Sequence, residues 1–526
     1  MRPSLWLVNS RTDTFFPIPH AIFHLTAGLL KRILFSNRGI FSGVRKLESQ
    51  VSQLAKEALT DLLARMGLPS GGLHEPGFTS LSFTGADPVV PSRYRPGLAS
   101  AVALAANAVG IAEIWRMRGG RPQSIGVDLR RAAVPGLRTV SYLRRDGHPL
   151  QLSRPASEDK VFFETADGRQ MYLLRHAFYH EHFSRLLAFL DCSSATESIE
   201  RAVSRWKADD LEEALAEAKA IGAIARTREE WLESPQGRHL AGRTPVEIEK
   251  IGDGPVMPFD AAGRPLSGIR VVDMGHVLAG PVVSRQLAEQ GAEVLHISAP
   301  HQPDPTHIVV DTGLGKRSAF VNLDTPGELD RFRALIAQSD VFAHSWRPGS
   351  LDARGLSPRA LAKLRPGIIY VSVSCYGCDG PWASRAGYDP LGQVVSGLAV
   401  GEGSLEQPKL ASTFTLNDYL AGYLGAAGVT SALLRRAREG GSYHVKVSLT
   451  SCSMWLQELG RLPREEWPDG PRGVRALPRP GADELTVSRT VFGAIEHPLP
   501  IVYYSQTPAR WDVPPEPAGA SPLAWA

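Results

Sequence analysis

The sequence predicts an α/β fold built on a parallel, doubly wound sheet. Short apolar runs alternate with helical stretches after residue 265, as is typical of a parallel sheet covered by helices on both faces. A segment rich in Gly and Pro, 252–264, indicates a linker before this alternation begins. A helix and the strand after it recur within the chain, which indicates an internal repeat.

Hydrophobic periodicity and turn residues place the elements on both sides of the linker. Before it we expect helices at 51–66, 97–118, 177–190, 194–206, 209–221 and 227–234, a strand at 124–129 and a hairpin at 161–174. After it we expect strands at 268–273, 293–297, 318–323, 341–344 and 368–374, with helices at 277–291, 326–339, 358–364 and within 413–438.

Composition bounds the class of protein. The 526 residues exceed one domain, and 43% hydrophobic with 21% charged residues fits sizeable cores. A net charge of +4 gives no electrostatic case for nucleic-acid binding. Four cysteines indicate a reducing compartment, and no run reaches the roughly 18 apolar residues of a membrane span. We therefore expect a cytoplasmic protein without a membrane partner. Three interpretations of the basic segment 1–50 remain open, namely organellar targeting, a surface extension and an overlong start.

The two copies of the repeat differ in one chemically important position. Residues 97–129 and 417–449 each read as a helix of small residues, a turn with Arg and Gly, and a short strand, 320 positions apart. At that offset Asp418 matches Leu98. Asn417 or Asp418 fits a helix cap, because Asn and Asp are favoured there. A cap alone should recur in both copies, so the difference favours a functional role for Asp418.

Basic residues stand at the ends of several strands after the linker. Lys316 and Arg317 open one strand, and Arg347 and Arg354 follow another. Ligands of open α/β sheets bind beyond the carboxyl ends of the strands, and clustered Lys and Arg suit phosphates. Ordinary solvated surface charge explains any one of these residues as well. The sequence has no Walker loop, GxGxxG fingerprint or GxSxG elbow, and its single CxxC lacks the partners of a metal site, so we predict no metal.

Several short motifs occur in order over about 190 residues, and such a set is far more specific than any one of them. They are PLSGIRVVD at 265–273, VLAGP at 277–281, GKRS at 315–318, RPG at 347–349, YVSVS at 370–374, GP at 380–381, GYD at 387–389, and Asp418 with Gly422. Together they resemble the family III coenzyme A transferases. That group includes formyl-CoA and carnitine CoA-transferases, and α-methylacyl-CoA racemase is a relative.

The resemblance implies an enzyme that moves CoA between an acyl-CoA thioester and a carboxylic acid. Asp418 matches the catalytic aspartate, which forms an aspartyl-CoA intermediate. Coenzyme A is then a substrate, and no metal cofactor is implied. The CoA-binding segments match Lys316, Arg317, Ser345, Trp346, Arg347 and Arg354, and the substrate-binding ones match His276, Tyr376, Tyr388 and Gln393.

The resemblance also implies a Rossmann-like large domain with a smaller α+β domain, in a duplicated and partly trimmed chain. Because family members form interlocked dimers, we expect a homodimer or an interlocked pseudo-dimer within one chain. Residues 246–248 and 492–508 resemble return strands. The expected parts are a poorly ordered N-terminal extension (1–50), a partial large-domain repeat without the catalytic Asp (51–135), a small α+β domain (136–250), a linker (251–265), the CoA-binding catalytic domain (266–450) and a C-terminal return segment (451–526).

Departures from the family pattern keep alternatives open. Ser345 stands where the family has Asn before the aromatic residue and Pro-Gly, and Tyr388 stands where the racemase branch has His. Racemisation needs two acid/base groups beside the α-carbon, so Tyr388 argues against it. An acyl-CoA racemase or isomerase and a non-catalytic CoA-binding protein remain the alternatives to the transferase.

Overall fold

A computed structural model describes residues 51–68, 80–150, 160–175 and 180–526. The predicted N-terminal extension, 1–50, lies outside these residues. Two compact units, 1–53 and 54–526, make up the chain. The elements below belong to the second unit, except for the first residues of one helix.

The part of the chain before the linker forms two groups of elements. The first group consists of helix α1 (51–65), strand β1 (Ser80–Thr84), helix α2 (Pro96–Met117), strand β2 (Ser124–Asp128), helices α3 (Leu129–Ala133) and α4 (Thr139–Tyr142), and strands β3 (Arg144–Arg145) and β4 (His148–Pro149). The second consists of β5 (Phe162–Glu164), β6 (Gln170–Leu173), α5 (His180–Leu190), α6 (Thr196–Val203), α7 (Ala208–Glu217), β7 (Gly222–Ile224), α8 (Arg228–Glu233), α9 (Pro235–Leu240) and β8 (Val246–Gly252).

After the linker, strands and helices alternate as the sequence predicts. The order is β9 (Arg270–Met274), α10 (Ala279–Ala288), β10 (Glu293–Ser298), α11 (Thr306–Thr312), β11 (Lys316–Phe320), α12 (Pro326–Ile336), β12 (Val341–His344), α13 (Pro358–Leu364), β13 (Ile369–Ser374), α14 (Asp389–Val395), α15 (Leu398–Glu402), α16 (Leu416–Glu439), β14 (Ser442–Ser448), α17 (Leu449–Glu458), β15 (Leu485–Thr490), β16 (Gly493–Pro498) and β17 (Tyr503–Tyr504).

A seven-stranded sheet confirms the predicted α/β fold class. Its order is β11-β10-β9-β12-β13-β14-β8, and only β8 runs antiparallel to its neighbour. All six residues of β13 are buried, as expected for a strand covered by helices on both faces. The sheet grows outward in both directions from β9 and β12. The carboxyl ends of these two strands therefore flank a topological switch point, where such sheets bind ligands.

Two long helices pack against each other in the interior. Among the described residues, α2 is the one helix long and apolar enough to span a membrane, although no such span was predicted from the sequence. This helix is buried inside the protein. A helix buried on all sides is apolar on all sides, which explains its composition. A Cβ on Gly110 of α2 would lie 2.7 Å from Cβ of Thr430 on α16. Glycine at this point therefore allows the two backbones to approach closely.

The last strand of each half pairs with the sheet of the other half. Strand β8 precedes the linker but runs antiparallel to β14, with Glu247 opposite Lys446. Strand β17 follows the linker but runs antiparallel to β2, with Tyr503 opposite Gly126, in a three-stranded sheet with β1. Gly126 and Lys446 are 320 positions apart, which is the offset of the sequence repeat. The two return strands thus pair at positions that are separated by this same offset.

The second group before the linker has a small core of its own. Strands β5, β6 and β7 form an antiparallel sheet, and the predicted hairpin at 161–174 is confirmed. Phe163, Leu186 and Leu211 belong to its buried cluster. Strand β7 was not predicted, and β11 begins two residues before the strand predicted at 318–323. Gly315 has a φ of 80° and ends the preceding turn, so β11 begins directly after it at Lys316.

Candidate active site

A cleft of about 790 Å³ opens at the carboxyl ends of the parallel strands. Residues that follow β9, β10, β12 and β13 line it, including His276, Ala299, Ser345 and Cys375. This is the edge at which open α/β sheets bind ligands, and the volume is within the usual range for a small-molecule site.

Other lining residues come from the chain before the linker. His180, His182 and Arg185 of α5 line the cleft, as does Lys219 after α7. The ring of His182 meets the ring of Tyr388 edge to face, with 6.0 Å between the centroids. Residues from both sides of the linker therefore build a single site.

Asp418 lies in the cleft in the first turn of α16. Thr415 is the N-cap residue, and its side chain makes no capping hydrogen bond. The Asp418 N–H donates to Oδ2 of Asp389, at 2.9 Å. The prediction that Asn417 or Asp418 caps this helix is therefore wrong, because the accepting carboxylate comes from α14. Among the residues that the structure describes, none donates a hydrogen bond to the side-chain oxygens of Asp418.

Asp389 is held in place from within the core. Gln393 donates to its Oδ1 through Nε2, and the same nitrogen donates to the carbonyl oxygen of Phe414 at 3.0 Å. Oε1 of Gln393 accepts from the Ala411 N–H at 2.8 Å. Gln393, a predicted substrate-binding residue, is fully buried and does not line the cleft. Its hydrogen bond to Asp389 connects it to the residue that accepts from the Asp418 N–H.

The two carboxyl groups share a buried environment that opposes ionisation. Burial, and next the charge of Asp389, raise the pKa of Asp418 well above its usual range. Burial raises the pKa of Asp389 to about 7, although the hydrogen bond from Gln393 works in the other direction. Interacting groups of this kind titrate as a pair. Asp418 is thus a weaker acid than a free Asp side chain, whose pKa is about 3.9.

The loops after β9 and β12 hold each other. The His276 N–H donates to Oγ of Ser345 at 2.9 Å, and that oxygen lies 2.8 Å from Nδ1 of His276. The ring of Trp346 stacks on the ring of His276 at 4.8 Å and 6°. The Trp346 Nε1–H donates to the carbonyl oxygen of Met274 at 3.0 Å. Burial lowers the pKa of His276, so this ring is a neutral partner in the stack.

A strained turn leads from this loop into α10. Val277 has a φ of 60°, which is unusual for a β-branched residue and is found mostly where the surroundings enforce it. Its N–H donates to Oδ2 of Asp304 at 2.9 Å. Leu278 is the N-cap of α10, and no side chain caps the helix. Leu278 and Ala279 both line the cleft, so the uncapped first turn of α10 meets it.

The cleft brings together most of the predicted site residues. Arg347 is exposed there, whereas Arg354 forms an ion pair with Asp324 at 2.5 Å. The predicted residues that line the cleft are Asp418, His276, Tyr388, Ser345, Trp346, Arg347 and Arg354.

Lys316 and Arg317 lie elsewhere, although both were predicted to bind CoA. Lys316 is buried, and its Nζ donates to Oδ2 of Asp273 at 2.7 Å. Arg317 pairs with Glu293 at 2.8 Å. Neither residue lines the cleft. A contact of Lys316 with CoA would require its ammonium group to leave a buried ion pair, which is costly.

Tyr376, a predicted substrate-binding residue, also lies outside the cleft. Its ring packs edge to face against Trp382, with 5.4 Å between the centroids. Its carbonyl oxygen accepts from Nε2 of Gln236 at 2.7 Å. The preceding residue, Cys375, lines the cleft instead.

Sequence reasoning missed four residues that shape the cleft. Asp389 stands in the Gly-Tyr-Asp motif beside Tyr388, so that motif was an available signal. Asp304 follows a strand end and could have been found by its position alone. Arg185 and Lys219 belong to no motif, and only the tertiary fold brings them to the cleft.

Comparison with known proteins gives the same family that the motifs indicate. Residues 266–465 match the profile of CoA-transferase family III. Acetyl-coenzyme A transferase nodX of Hypoxylon pulicicidum is 31% identical over 360 residues, which are 62% of this chain and 59% of that protein. The alpha subunit of succinyl-CoA–L-malate CoA-transferase of Chloroflexus aurantiacus is 35% identical over 199 residues, 35% of this chain and 46% of that subunit. The match to a crystal structure of a CAIB/BAIF family protein from Brucella suis has 30% sequence identity and a TM-score of 0.34. It covers 37% of this chain and 56% of the other.

The chain spans 46% to 59% of the length of the first relatives it matches. The matched segment contains the cleft loops after β9 and β12, the Gly-Tyr-Asp motif and Asp418. The resemblance found in the motifs is thereby confirmed, because residues 266–465 match CoA-transferase family III.

Proposed function

We propose that this protein transfers coenzyme A between an acyl-CoA thioester and a carboxylic acid, with Asp418 as the nucleophile. The observation that carries the proposal is the Asp418 carboxylate itself. It lines the cleft without a hydrogen bond from the described residues, while Asp389 accepts from the helix N–H. The family match over 266–465 and the relatives named as CoA-transferases support the same activity.

In the first half of the reaction, an oxygen of ionised Asp418 attacks the carbonyl carbon of the acyl-CoA thioester. The tetrahedral intermediate collapses with cleavage of the C–S bond, giving a mixed anhydride and CoA thiolate. The thiolate then attacks Cγ of Asp418, the anhydride C–O bond breaks, and the donor acid leaves as a carboxylate. Asp418 now carries CoA as a thioester.

The second half makes and breaks the same kinds of bond with another acid. The acceptor carboxylate attacks Cγ of Asp418 and displaces CoA thiolate. The thiolate attacks the acyl carbon of the new anhydride, which releases the new acyl-CoA and returns ionised Asp418. No proton is gained or lost overall, because one carboxylate enters and another leaves.

Each tetrahedral intermediate needs donors for its oxyanion, and we assign this task to the first turn of α10. That turn is uncapped and meets the cleft. Gly422, one turn beyond Asp418, packs so closely that an added Cβ would lie 3.3 Å from the carbonyl oxygen of Ala279. The first turn of α10 therefore packs against α16 one turn beyond Asp418. Tyr388 lines the same cleft as a neutral phenol, because burial raises its pKa.

Positive charge in the cleft suits the phosphates of CoA. Arg347 is exposed and has no ion pair among the described residues, so its guanidinium is available for a bidentate phosphate contact. The neighbouring Trp346 offers a flat ring that is already ordered by His276. Arg185 and Lys219 add positive charge from the other side of the linker.

We further propose that the chain is duplicated and trimmed, and that one chain contains an interlocked pair. The crossing of β8 and β17 supports this proposal, because each strand completes the sheet of the other half. Gly110 and Thr430 are in contact across α2 and α16, and they too are 320 positions apart. Contact between equivalent positions is the pattern expected around an approximate two-fold axis.

The two helix ends support the same organisation. The Leu98 N–H donates to Oδ2 of Asp87 at 2.8 Å, as the Asp418 N–H donates to Oδ2 of Asp389. Leu98 and Asp418 are the matching positions of the repeat. In this proposal, the copy before the linker supplies support and one wall of the cleft, and only the copy after it has the nucleophile.

Trapping of the aspartyl intermediate tests the mechanism. Incubation with acyl-CoA and then borohydride or hydroxylamine should modify Asp418, as located by mass spectrometry. Asp418→Asn should lose the adduct and still bind CoA. Asp128→Asn is the matched control, because Asp128 caps α3 outside the cleft and should keep the adduct. No adduct with any acyl-CoA of a broad panel would refute the transferase mechanism. Deuterium exchange at the α-carbon without transfer would favour an isomerase, and CoA binding with neither signal a binding protein.

The number of chains per active particle tests the interlocked organisation. We expect light scattering to give the mass of one chain, and calorimetry to give one CoA bound per chain. An activity found only in a dimer fraction would contradict the proposal, because the cleft would then need a second copy.

A further inference from the structure

Three buried polar side chains form a hydrogen-bonded row across the parallel sheet. His344 ends β12, Ser372 lies on β13 and His444 on β14. Nε2 of His344 is 3.0 Å from Oγ of Ser372, which is 2.8 Å from Nε2 of His444. All three are buried and none lines the cleft. They therefore cannot touch a substrate in the cleft, and their role must act through another residue.

The hydrogen-bond partners assign the protons along this row. The Trp346 N–H donates to Nδ1 of His344 at 3.2 Å, so Nδ1 is an acceptor. Burial lowers the pKa of both imidazoles to about 3, so both rings are neutral near neutral pH. The proton of His344 is then on Nε2 and is donated to Ser372. The Ser372 O–H is in turn donated to Nε2 of His444.

The ring of Tyr370 lies between the two imidazoles and holds both. It packs edge to face against His344 at 5.2 Å and against His444 at 5.1 Å. Its O–H donates to the carbonyl oxygen of Leu356 at 3.0 Å. Rotation of either imidazole would therefore lose both a hydrogen bond and a ring contact.

We propose that His344, Ser372 and His444 are positioning residues that set the loop 345–347 for CoA binding. The row ends at the Trp346 N–H, where β12 passes into this loop, and the next residue is Arg347 in the cleft. Polar groups are costly in a core unless they are hydrogen-bonded, and a row of hydrogen bonds between buried side chains fixes their geometry. The inference rests on the proposed function in one respect, namely that Arg347 contacts CoA.

Ser372→Ala breaks the row at its centre, and Ser372→Thr keeps the hydroxyl. Ser372→Ala should raise the Kd for CoA about tenfold, or about 1.4 kcal/mol, and raise KM for acyl-CoA with kcat changed by less than about twofold. Amide hydrogen exchange of 345–347 should become faster in the ligand-free protein. Ser372→Thr should restore the wild-type Kd, KM and exchange rate. Ser339→Ala is the control, since Ser339 is a buried serine whose hydroxyl donates to the carbonyl oxygen of Ile336 away from the cleft. This variant should leave the Kd, the KM and the exchange rate unchanged.

A second variant guards against misfolding of the first. His444→Phe keeps a ring against Tyr370 and removes the acceptor, so it should reproduce the faster exchange and the weaker binding. The effects of Ser372→Ala and Arg347→Ala on the Kd should be less than additive, because one acts through the other. Unchanged exchange in both row variants, or faster exchange with unchanged CoA affinity, would overturn the positioning role. Failure of the wild-type protein to bind CoA would instead refute the proposed function.

Discussion

Replacement of Asp389 by Asn should lower the pKa of Asp418 and move the acidic limb of the pH–rate profile to lower pH. In the wild type, burial and the charge of Asp389 both raise the pKa of Asp418. Asn removes the charge and keeps an oxygen that can accept the Asp418 N–H. The burial contribution remains. The proposed nucleophile would therefore ionise at a lower pH in the variant while its helix end stays bonded.

The repulsion between the two carboxyl groups arises because Asp389 is hydrogen-bonded to the backbone of Asp418. Oδ2 of Asp389 is 2.9 Å from the backbone nitrogen of Asp418. Two carboxylates on the order of 5 Å apart repel each other by roughly 3 kcal/mol at an effective dielectric constant near 20. The amide of Asn cannot accept from Gln393 and Asp418 as well as a carboxylate does, which opposes part of this effect. The net expectation is a lower pKa for Asp418 in the variant.

The assay is kcat/KM for acyl-CoA between about pH 5 and pH 9, because this ratio reports the ionisation of the free enzyme. Asp128→Asn is again the control and should leave the limb where it is in the wild type. Mass spectrometry of the trapped adduct at each pH would show whether the limb belongs to attack by Asp418. A limb that stays in place, or that moves to higher pH, would refute the coupling between the two carboxyl groups.

Three further predictions concern stability. Burial raises the pKa of Glu289 to about 8 from an ordinary value of 4.5. The free energy of unfolding should therefore fall as pH rises from about 4.5 to about 8, by up to about 5 kcal/mol. Glu289→Gln should flatten this pH dependence, as measured by urea unfolding at several pH values. Arg285→Met leaves the buried charge of Asp311 unpaired and should cost about 3–5 kcal/mol in the same assay; a smaller loss than that of a surface Arg variant would contradict this. Gly110→Ala should cost about 1–3 kcal/mol because its Cβ would overlap the hydroxyl oxygen of Thr430 and lie 2.7 Å from the Thr430 Cβ. Thr430→Ala in the same chain removes the hydroxyl and should recover part of the loss. Strict additivity of the two effects would argue against the contact.

The parallel sheet was predictable because its strands are short, apolar and separated by helices. The predicted bounds of β12 and α13 agree with the structure to the residue, and the hairpin of the small sheet was marked by its Asp-Gly turn. The side-chain direction within a strand was harder to predict. With β11 beginning at Lys316 instead of 318, the lysine is part of the strand and turns inward to Asp273. A cation after a glycine turn gives no sequence signal that it is buried.

The composition of the cleft was only partly accessible from sequence for a different reason. Motif matching finds residues that are close to each other along the chain, such as Trp346 and Arg347. The wall that carries Arg185 and Lys219 is separated from Asp418 by about 200 residues or more, and its residues are ordinary surface cations in sequence. Their place in the cleft follows from the return strand β8, which ties the part of the chain before the linker to the large sheet.

A comparison of α2 with α16 distinguishes what a residue at the Asp418 position does for the helix from what it does for chemistry in the cleft. Both helices begin with an N–H that donates to a buried carboxylate from a preceding segment, Asp87 in one case and Asp389 in the other. The helix end is therefore satisfied in both helices by a residue other than its own. In α2 the matching position is Leu98, and that helix is complete without a carboxylate there. A carboxylate at 418 adds a charge beside an acidic group in a buried site, which opposes its ionisation and costs stability. The carboxylate of Asp418 is not needed to complete the helix, and it lowers stability at the edge of the cleft. Chemistry at that carboxylate is the best explanation for its presence.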